Sequence, residues 1–228
     1  MRWTNDAVRD LVETLEESYG RPRFTPRFEP VKELVSCILS QHTTDAVSFP
    51  AFARLMERCP EWDQVVALGP ERLAEEIRRV GLPNQKARSI IGSLNEIKKR
   101  NGAYTLEPLR KLPTDEALKW LVSLPGVGQK TAAIVLCFSF GRPVIPVDTH
   151  VFRVSWRLGL IDRKIGAAKA HQALLRRAPE GLAYRFHVAL IQHGRRTCRA
   201  PTPLCDQCTV SVRCRFFKSR RKIRPYKK

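Results

Sequence analysis

Apolar residues recur along this chain at spacings of three and four, and strict apolar–polar alternation is nearly absent, so the pattern predicts helices throughout. In AVRDLVETLEESY, Val8, Leu11, Leu15 and Tyr19 share one face; Asn5 or Asp6 is placed to cap this helix, and Gly20 and Pro22 close it. A Pro-rich connector, RPRFTPRFEP, leads to a second helix running from about Val31 through Cys37, Ile38 and Leu39. A third begins near Asp45 and continues past Phe52, Leu55 and Met56 to Cys59 and Pro60. Pro70 suits the first turn of PERLAEEIRRV, which Gly81 ends. Asn84 is expected to cap QKARSIIGSLNEIKKR, stopped by Asn101 and Gly102, and Thr114 to cap DEALKWLVSL. Later helices are expected from near Gln129 to Gly141, and over His150 to Leu160, Gly166 to Arg177 and Leu182 to His193. The expected class is all-α, with no internal repeat.

The stretch LVSLPGVGQKTAAIVLCFSFGRPVIPVDTHV interrupts this regularity with a short turn between two helical runs. Gly126 and Gly128 free the backbone from the Cβ restriction, so a tight hairpin can form and approach another molecule closely. The next helix starts near Gln129, and its unpaired N–H groups and positive dipole end suit a phosphate. A nucleotide-binding P-loop is excluded, because Gln129 precedes Lys130 and no glycine stands in the required register before it. Two readings remain: an ordinary glycine-containing helix connection with no ligand, which GxG alone favours, and a helix–hairpin–helix gripping a nucleic-acid backbone, with Gly126, Val127, Gly128 and Thr131 as the contacts. A Pro-bounded link, Pro143 to Pro146, then delivers Asp148 to the start of another helix, where it can act as an N-cap.

Charge sharpens the choice of partner. Lys and Arg outnumber Asp and Glu by 41 to 22, a net of +19, which points to nucleic acid or an anionic membrane surface. No apolar run reaches spanning length and no charged start precedes an apolar signal core, so a soluble, cytoplasmic protein is expected, with no membrane partner. The stretch from Arg195 onward holds twelve Lys or Arg against Asp206 alone. Arg195, Arg196 and Arg199 are its candidates for fixed phosphate contacts; after Phe217 the tail reads as solvated chain, able to touch DNA. Of seven cysteines, Cys37, Cys59 and Cys137 sit in apolar runs and read as core. Cys198, Cys205, Cys208 and Cys214 crowd into one loop as Cys-x6-Cys-x2-Cys-x5-Cys and can converge on one metal centre. Spacing alone leaves structural zinc and an iron–sulfur cluster level.

LPGVGQKTA, an apolar helix and then VDTH resemble the helix–hairpin–helix superfamily of DNA base-excision glycosylases, and more narrowly the endonuclease III family. The cysteine order after HGRRT matches the cluster loop of that family. The resemblance spans roughly Val31 to Cys214. It implies a helical barrel domain with the helix–hairpin–helix over Phe28 to Gly141. Residues 1–27 and 142–228 would form a second helical domain holding a 4Fe–4S cluster on the four cysteines. It also implies a nucleophilic lysine at Lys130 and a catalytic aspartate at Asp148. A first-turn position, neighbouring cations and partial burial would all disfavour the ammonium form of Lys130. ILSQHTTD and GLPNQKA correspond to the family's two gap-filling stretches, placing His42 where the family has Gln and Leu82 at its plug Leu, with Pro83 replacing an aromatic residue. The implied activity is a bifunctional DNA glycosylase and abasic-site lyase for oxidised pyrimidines in damaged double-stranded DNA, acting as a monomer. A monofunctional mismatch glycosylase of the same fold and a non-catalytic iron–sulfur DNA-binding protein are the alternatives.

Overall fold

The computed structural model describes residues 3–223, and among them only helices and connecting turns occur, as the all-α pattern predicts. The order is α1 (Asn5–Tyr19), α2 (Pro30–Ser40), α3 (Asp45–Arg58), α4 (Trp62–Ala67), α5 (Gly69–Glu76), α6 (Pro83–Asn101), α7 (Thr114–Val122), α8 (Gln129–Phe140), α9 (Thr149–Leu158), α10 (Gly166–Leu175), α11 (Ala183–Arg196) and α12 (Arg215–Ile223). Short 3-10 turns lie at Glu107–Lys111, Arg163–Ile165, Cys205–Gln207 and Ser211–Arg213. The chain divides into two compact units. Thr25–Arg142 forms one; the residues up to Phe24 and those from Pro143 onward form the other.

In the Thr25–Arg142 unit α2 is the axis. PVKELVSCILS is apolar on nearly every side, nine of its eleven residues are buried, and α3, α6 and α8 pack around it. Pro30 fits the first turn, and the Glu29 carboxylate accepts from the N–H groups of Val31 at 3.0 Å and Lys32 at 2.8 Å. The buried Glu33 is met by Arg27 at 2.6 Å, which offsets the cost of taking its charge out of water. Cys37, Cys59 and Cys137 are all buried, and burial pushes the Cys137 thiol up to about 12, so it remains protonated. Arg142 closes the unit by donating to the carbonyls of Arg110 at 2.7 Å and Leu112 at 2.9 Å.

The other unit packs α1 and α9 against α11, and α12 against α9. Val8, Leu11, Val12 and Leu15 of α1 join Val151, Val154, Leu158, Phe186 and Leu190 in one core. Each such side chain contributes about 1.5–3 kcal/mol on burial. Gly194 lets α9 and α11 approach, since a Cβ there would stand 2.9 Å from the Cβ of His150. Arg185 donates to Glu16 at 2.7 Å, joining α11 to α1 by a mostly buried ion pair.

Several expectations change. Thr4, one residue earlier than Asn5, caps α1 by accepting from Ala7 N–H at 3.2 Å. Glu61 and Gln64 form a capping box that starts α4, a helix that apolar periodicity does not predict. α5 stops at Glu76, so Ile77 to Gly81 is irregular rather than helical. Asn84 does not cap α6 and Thr114 does not cap α7: the preceding Leu82 and Pro113 take those positions, without side-chain bonds. Beyond Phe217 the chain does not run as solvated coil at once, because α12 continues to Ile223 with Phe216 and Phe217 against the core. The last five residues of the tail lie outside the described residues.

Candidate nucleic-acid interface and thiol cavity

The hairpin joins α7 to α8 and rests on α6. Gly126 has φ +73°, and a Cβ there would fall 2.3 Å from Ser89 Oγ, so only glycine fits both the backbone and the space. Ser93 Oγ donates to the Pro125 carbonyl at 2.9 Å and fixes the other side of the turn. Val127 is buried and anchors the hairpin from within. Gly128 differs from its neighbour. Its φ is −90°, an ordinary extended value, and a Cβ there would meet nothing within 4 Å. It is not needed for the turn; it leaves open space in front of α8. No side chain caps that helix, and Ala132 N–H to Gly128 O, at 3.0 Å, is its first internal bond, so the earlier N–H groups face outward. Lys130 stands in this first turn and is exposed, contrary to the partial burial expected of it. Thr131 beside it is buried.

Two residues in the same unit adopt the left-handed conformation without being glycine: His42 at φ 53° and Leu82 at φ 59°. They are the two positions matched to gap-filling loops in the sequence. Each costs on the order of 1–3 kcal/mol, a strain that persists only where surroundings enforce it. Both side chains are exposed, and Leu82, at 53%, is among the most exposed large apolar residues described. The loops abut: a Cβ on Gly81 would stand 3.0 Å from the His42 carbonyl oxygen. Lys86 crosses beneath them, buried, donating from Nζ to the Leu39 carbonyl at 2.7 Å. Burial lowers its pKa to about 8, while the carboxyl end of α2 favours a cation there. Gln41 reaches the hairpin, its Nε2 donating to the Gly126 carbonyl at 3.0 Å and to Thr131 Oγ1 at 3.2 Å. Lys86, Ser89 and the bonds of Gln41 went unseen in the sequence, because each acts across tens of residues.

Asp148 belongs to the other unit. It is the N-cap of α9, where Oδ1 accepts from Val151 N–H at 2.7 Å, a bond that fixes the carboxylate's direction. The four clustered cysteines line one cavity with about 350 Å³ of atom-free space, part of it open to solvent. Among the described residues no group of three His, Cys, Asp or Glu side chains is arranged to hold a single metal ion. Arg157 borders it, 6% exposed, with a guanidinium N–H donating to the Arg199 carbonyl at 2.8 Å and lying 3.4 Å from Cys198 Sγ. Its Nε has no partner among the described residues. A buried cation with a spare donor beside four thiols suits a group carrying negative charge. His193, hydrogen-bonded through Nδ1 to Tyr19 at 2.9 Å, is held neutral by burial, its pKa about 4. Arg195, Arg196 and Arg199 are exposed; Arg196 lies over the Tyr19 ring and Arg199 Nε donates to the Arg196 carbonyl at 2.8 Å.

Comparison with known proteins gives a consistent result. The family described as HhH-GPD superfamily base excision DNA repair protein matches residues 35–180. Endonuclease III of Thermotoga maritima is 33% identical over 201 residues, which cover 88% of this chain and 90% of the relative. Endonuclease III of Escherichia coli K12 is 33% identical over 214 residues, 93% of this chain and 97% of the relative. Among solved structures, a trapped endonuclease III–DNA covalent intermediate in an estranged-adenine complex is similar with a TM-score of 0.81 and 30% identity, covering 96% of this chain and all of the other. No described helix is long and apolar enough to cross a membrane.

Proposed function

Because the chain belongs to the HhH-GPD superfamily of base excision DNA repair proteins, we propose that it is a bifunctional DNA glycosylase and abasic-site lyase. Its substrate is duplex DNA carrying an oxidised pyrimidine, and it works as a monomer in the cytoplasm, on the nucleoid. The observation that carries this reading is an exposed lysine in the first turn of α8, directly behind a glycine hairpin that leaves its N–H groups outward. An endonuclease III relative of the same fold has been captured as a covalent DNA intermediate, as an amine nucleophile would allow.

The chemistry follows from the side chains. The hairpin N–H groups hold the backbone phosphate, while the buried Thr131, engaged by Gln41, supports the turn from within; Arg195, Arg196 and Arg199 add sequence-independent attraction. His42 and Leu82 enter the gap left when the damaged nucleotide is turned out of the stack. The neutral amine of Lys130 then forms a bond to C1′ as the glycosidic C–N bond breaks, and the electron pair leaves with the base. The Asp148 side chain, held by its cap bond, stabilises the positive charge that develops on the sugar. Opening of the ring gives an imine between Lys130 and the sugar. Loss of a C2′ proton then expels the 3′ phosphate, and the strand is nicked. Cys198, Cys205, Cys208 and Cys214, beside Arg157, would hold a 4Fe–4S cluster, which when bound supplies a covalent cross-link for this loop.

Borohydride trapping on abasic-site and thymine-glycol duplexes tests the mechanism. Lys130→Gln is expected to bind damaged duplex while losing both the trapped adduct and the nick. Asp148→Asn keeps a cap and should slow base release by about 10²–10³-fold. An adduct of normal yield from Lys130→Gln would make another amine the nucleophile and overturn the reading.

A further inference from the structure

Gln41 is the residue that connects the strained loop at His42 to the hairpin that carries Lys130. It is half-buried, at the carboxyl end of α2, one position before the left-handed residue. Both bonds of its carboxamide nitrogen go to the hairpin side, to Gly126 O at 3.0 Å and Thr131 Oγ1 at 3.2 Å, across 85 and 90 residues of sequence. The acceptors are rigid. Gly126 lies against Ser89 with no room for a Cβ, Pro125 is bonded by Ser93, and Thr131 is buried in α8 next to Lys130. The turn bonds of the loop it holds are long, Gln41 N–H to Ile38 O at 3.2 Å and Thr43 N–H to Ser40 O at 3.4 Å, and His42 and Thr44 are exposed. Left-handed backbone at a non-glycine residue relaxes unless something external holds it. The Gln41 amide supplies that hold, and the contact of the His42 carbonyl with Gly81 passes it to the Leu82 loop.

Resting on the glycosylase reading above, we propose that Gln41 is a positioning residue that locks both gap-filling loops to the Lys130 hairpin. It touches neither base nor sugar. It makes filling of the gap and presentation of the amine a single rigid arrangement, so its loss weakens extrusion of a stacked base more than it weakens imine formation at a site that has no base.

Two variants test this, Gln41→Ala and Gln41→Glu. The second keeps the size but sets a carboxylate oxygen against the Gly126 carbonyl, so it cannot donate. The readouts are single-turnover release of thymine glycol from duplex DNA and borohydride trapping at a preformed abasic site, where extrusion costs least. In both variants the ratio of the first rate to the second is expected to fall about tenfold, or 1.4 kcal/mol. Fluorescence of 2-aminopurine beside the lesion should report less extrusion at saturating protein, with the melting temperature unchanged. Equal loss on the two substrates, or no loss on either, would overturn the proposal. A wild-type protein that cannot be trapped at the abasic site would instead overturn the lyase reading, and that result is visible before any variant is made.

Discussion

The two glycines of the hairpin motif look alike in sequence, and the structure gives them opposite tasks. Alanine at Gly126 would force a Cβ to 2.3 Å from Ser89 Oγ and 2.5 Å from Ser89 Cβ, on a backbone at φ +73°. The left-handed conformation costs an alanine about 1–2 kcal/mol. Overpacking against Ser89, whose backbone is fixed in α6, adds about 1–3 kcal/mol. Gly126→Ala should therefore destabilise by roughly 2–5 kcal/mol, a large share of the ~5–15 kcal/mol that holds a domain folded. Gly128→Ala has neither penalty, since φ is −90° and nothing lies within 4 Å. It should leave stability unchanged or raise it by about 0.4–1 kcal/mol through the unfolded chain. If the proposed phosphate site lies in front of α8, the alanine Cβ would project into that space, and affinity for duplex should drop about tenfold, or 1.4 kcal/mol. Urea denaturation and fluorescence anisotropy separate the two effects, and Ser89→Gly in the Gly126→Ala background should restore the steric part but not the dihedral part. Equal destabilisation by the two alanines, or no recovery with Ser89→Gly, would refute the assignment.

Other expectations are equally direct. Lys86 has a folded pKa of about 8 against an ordinary 10.5, so the folded state sheds its proton first and stability from this group rises between those values. The stability of the wild type relative to Lys86→Met should thus be flat below pH 8 and grow by roughly 1–3 kcal/mol toward pH 10.5, measured by urea titration at several pH values. Cys205→Ser should give poorly soluble protein without visible absorption, and metal analysis of the wild type should return iron and sulfide; zinc alone would exclude the cluster. Truncation after Phe217 removes seven Lys and Arg, and should flatten the slope of log affinity against log salt by about 0.9 for each phosphate no longer neutralised.

What the sequence made legible was local or contiguous. Lys130 follows GVGQ within one turn, and a carboxylate before THVFRVSWRL is a strong cap signal, so the helix starts at Gln129 and Thr149 could be anticipated closely. Helix α4 escaped because six residues between Pro60 and Pro70 show too little periodicity; its one signal was Glu61 with Gln64 three positions on. Asn84 looked like a better cap than Leu82, and no local preference assigns a leucine to the left-handed region. That assignment comes from Gly81 against His42, a contact between separate loops. Gln41 read as a neighbour of the gap-filling residue, and its partners 85 and 90 positions away could not be inferred from ILSQHTTD. Burial was similarly misjudged at Lys130, where exposure depends on how the hairpin sits on α6 rather than on the residues beside it.

The position of α1 has a consequence for how the protein is made. Its apolar face is covered by α11, with Glu16 held by Arg185 and Tyr19 by His193, yet more than 160 residues separate Tyr19 from the start of α11 at Ala183. At about 5–20 residues per second a ribosome needs on the order of ten seconds or more to synthesise that interval. The contiguous Thr25–Arg142 unit can fold during this time, while the first helix emerges with Val8, Leu11, Val12 and Leu15 unmatched. Until α11 is made, the growing chain carries α1 as an amphipathic segment without its partner, a handle for a chaperone. A chain that stops between α8 and α11 keeps its hairpin and Lys130 but leaves that apolar face uncovered.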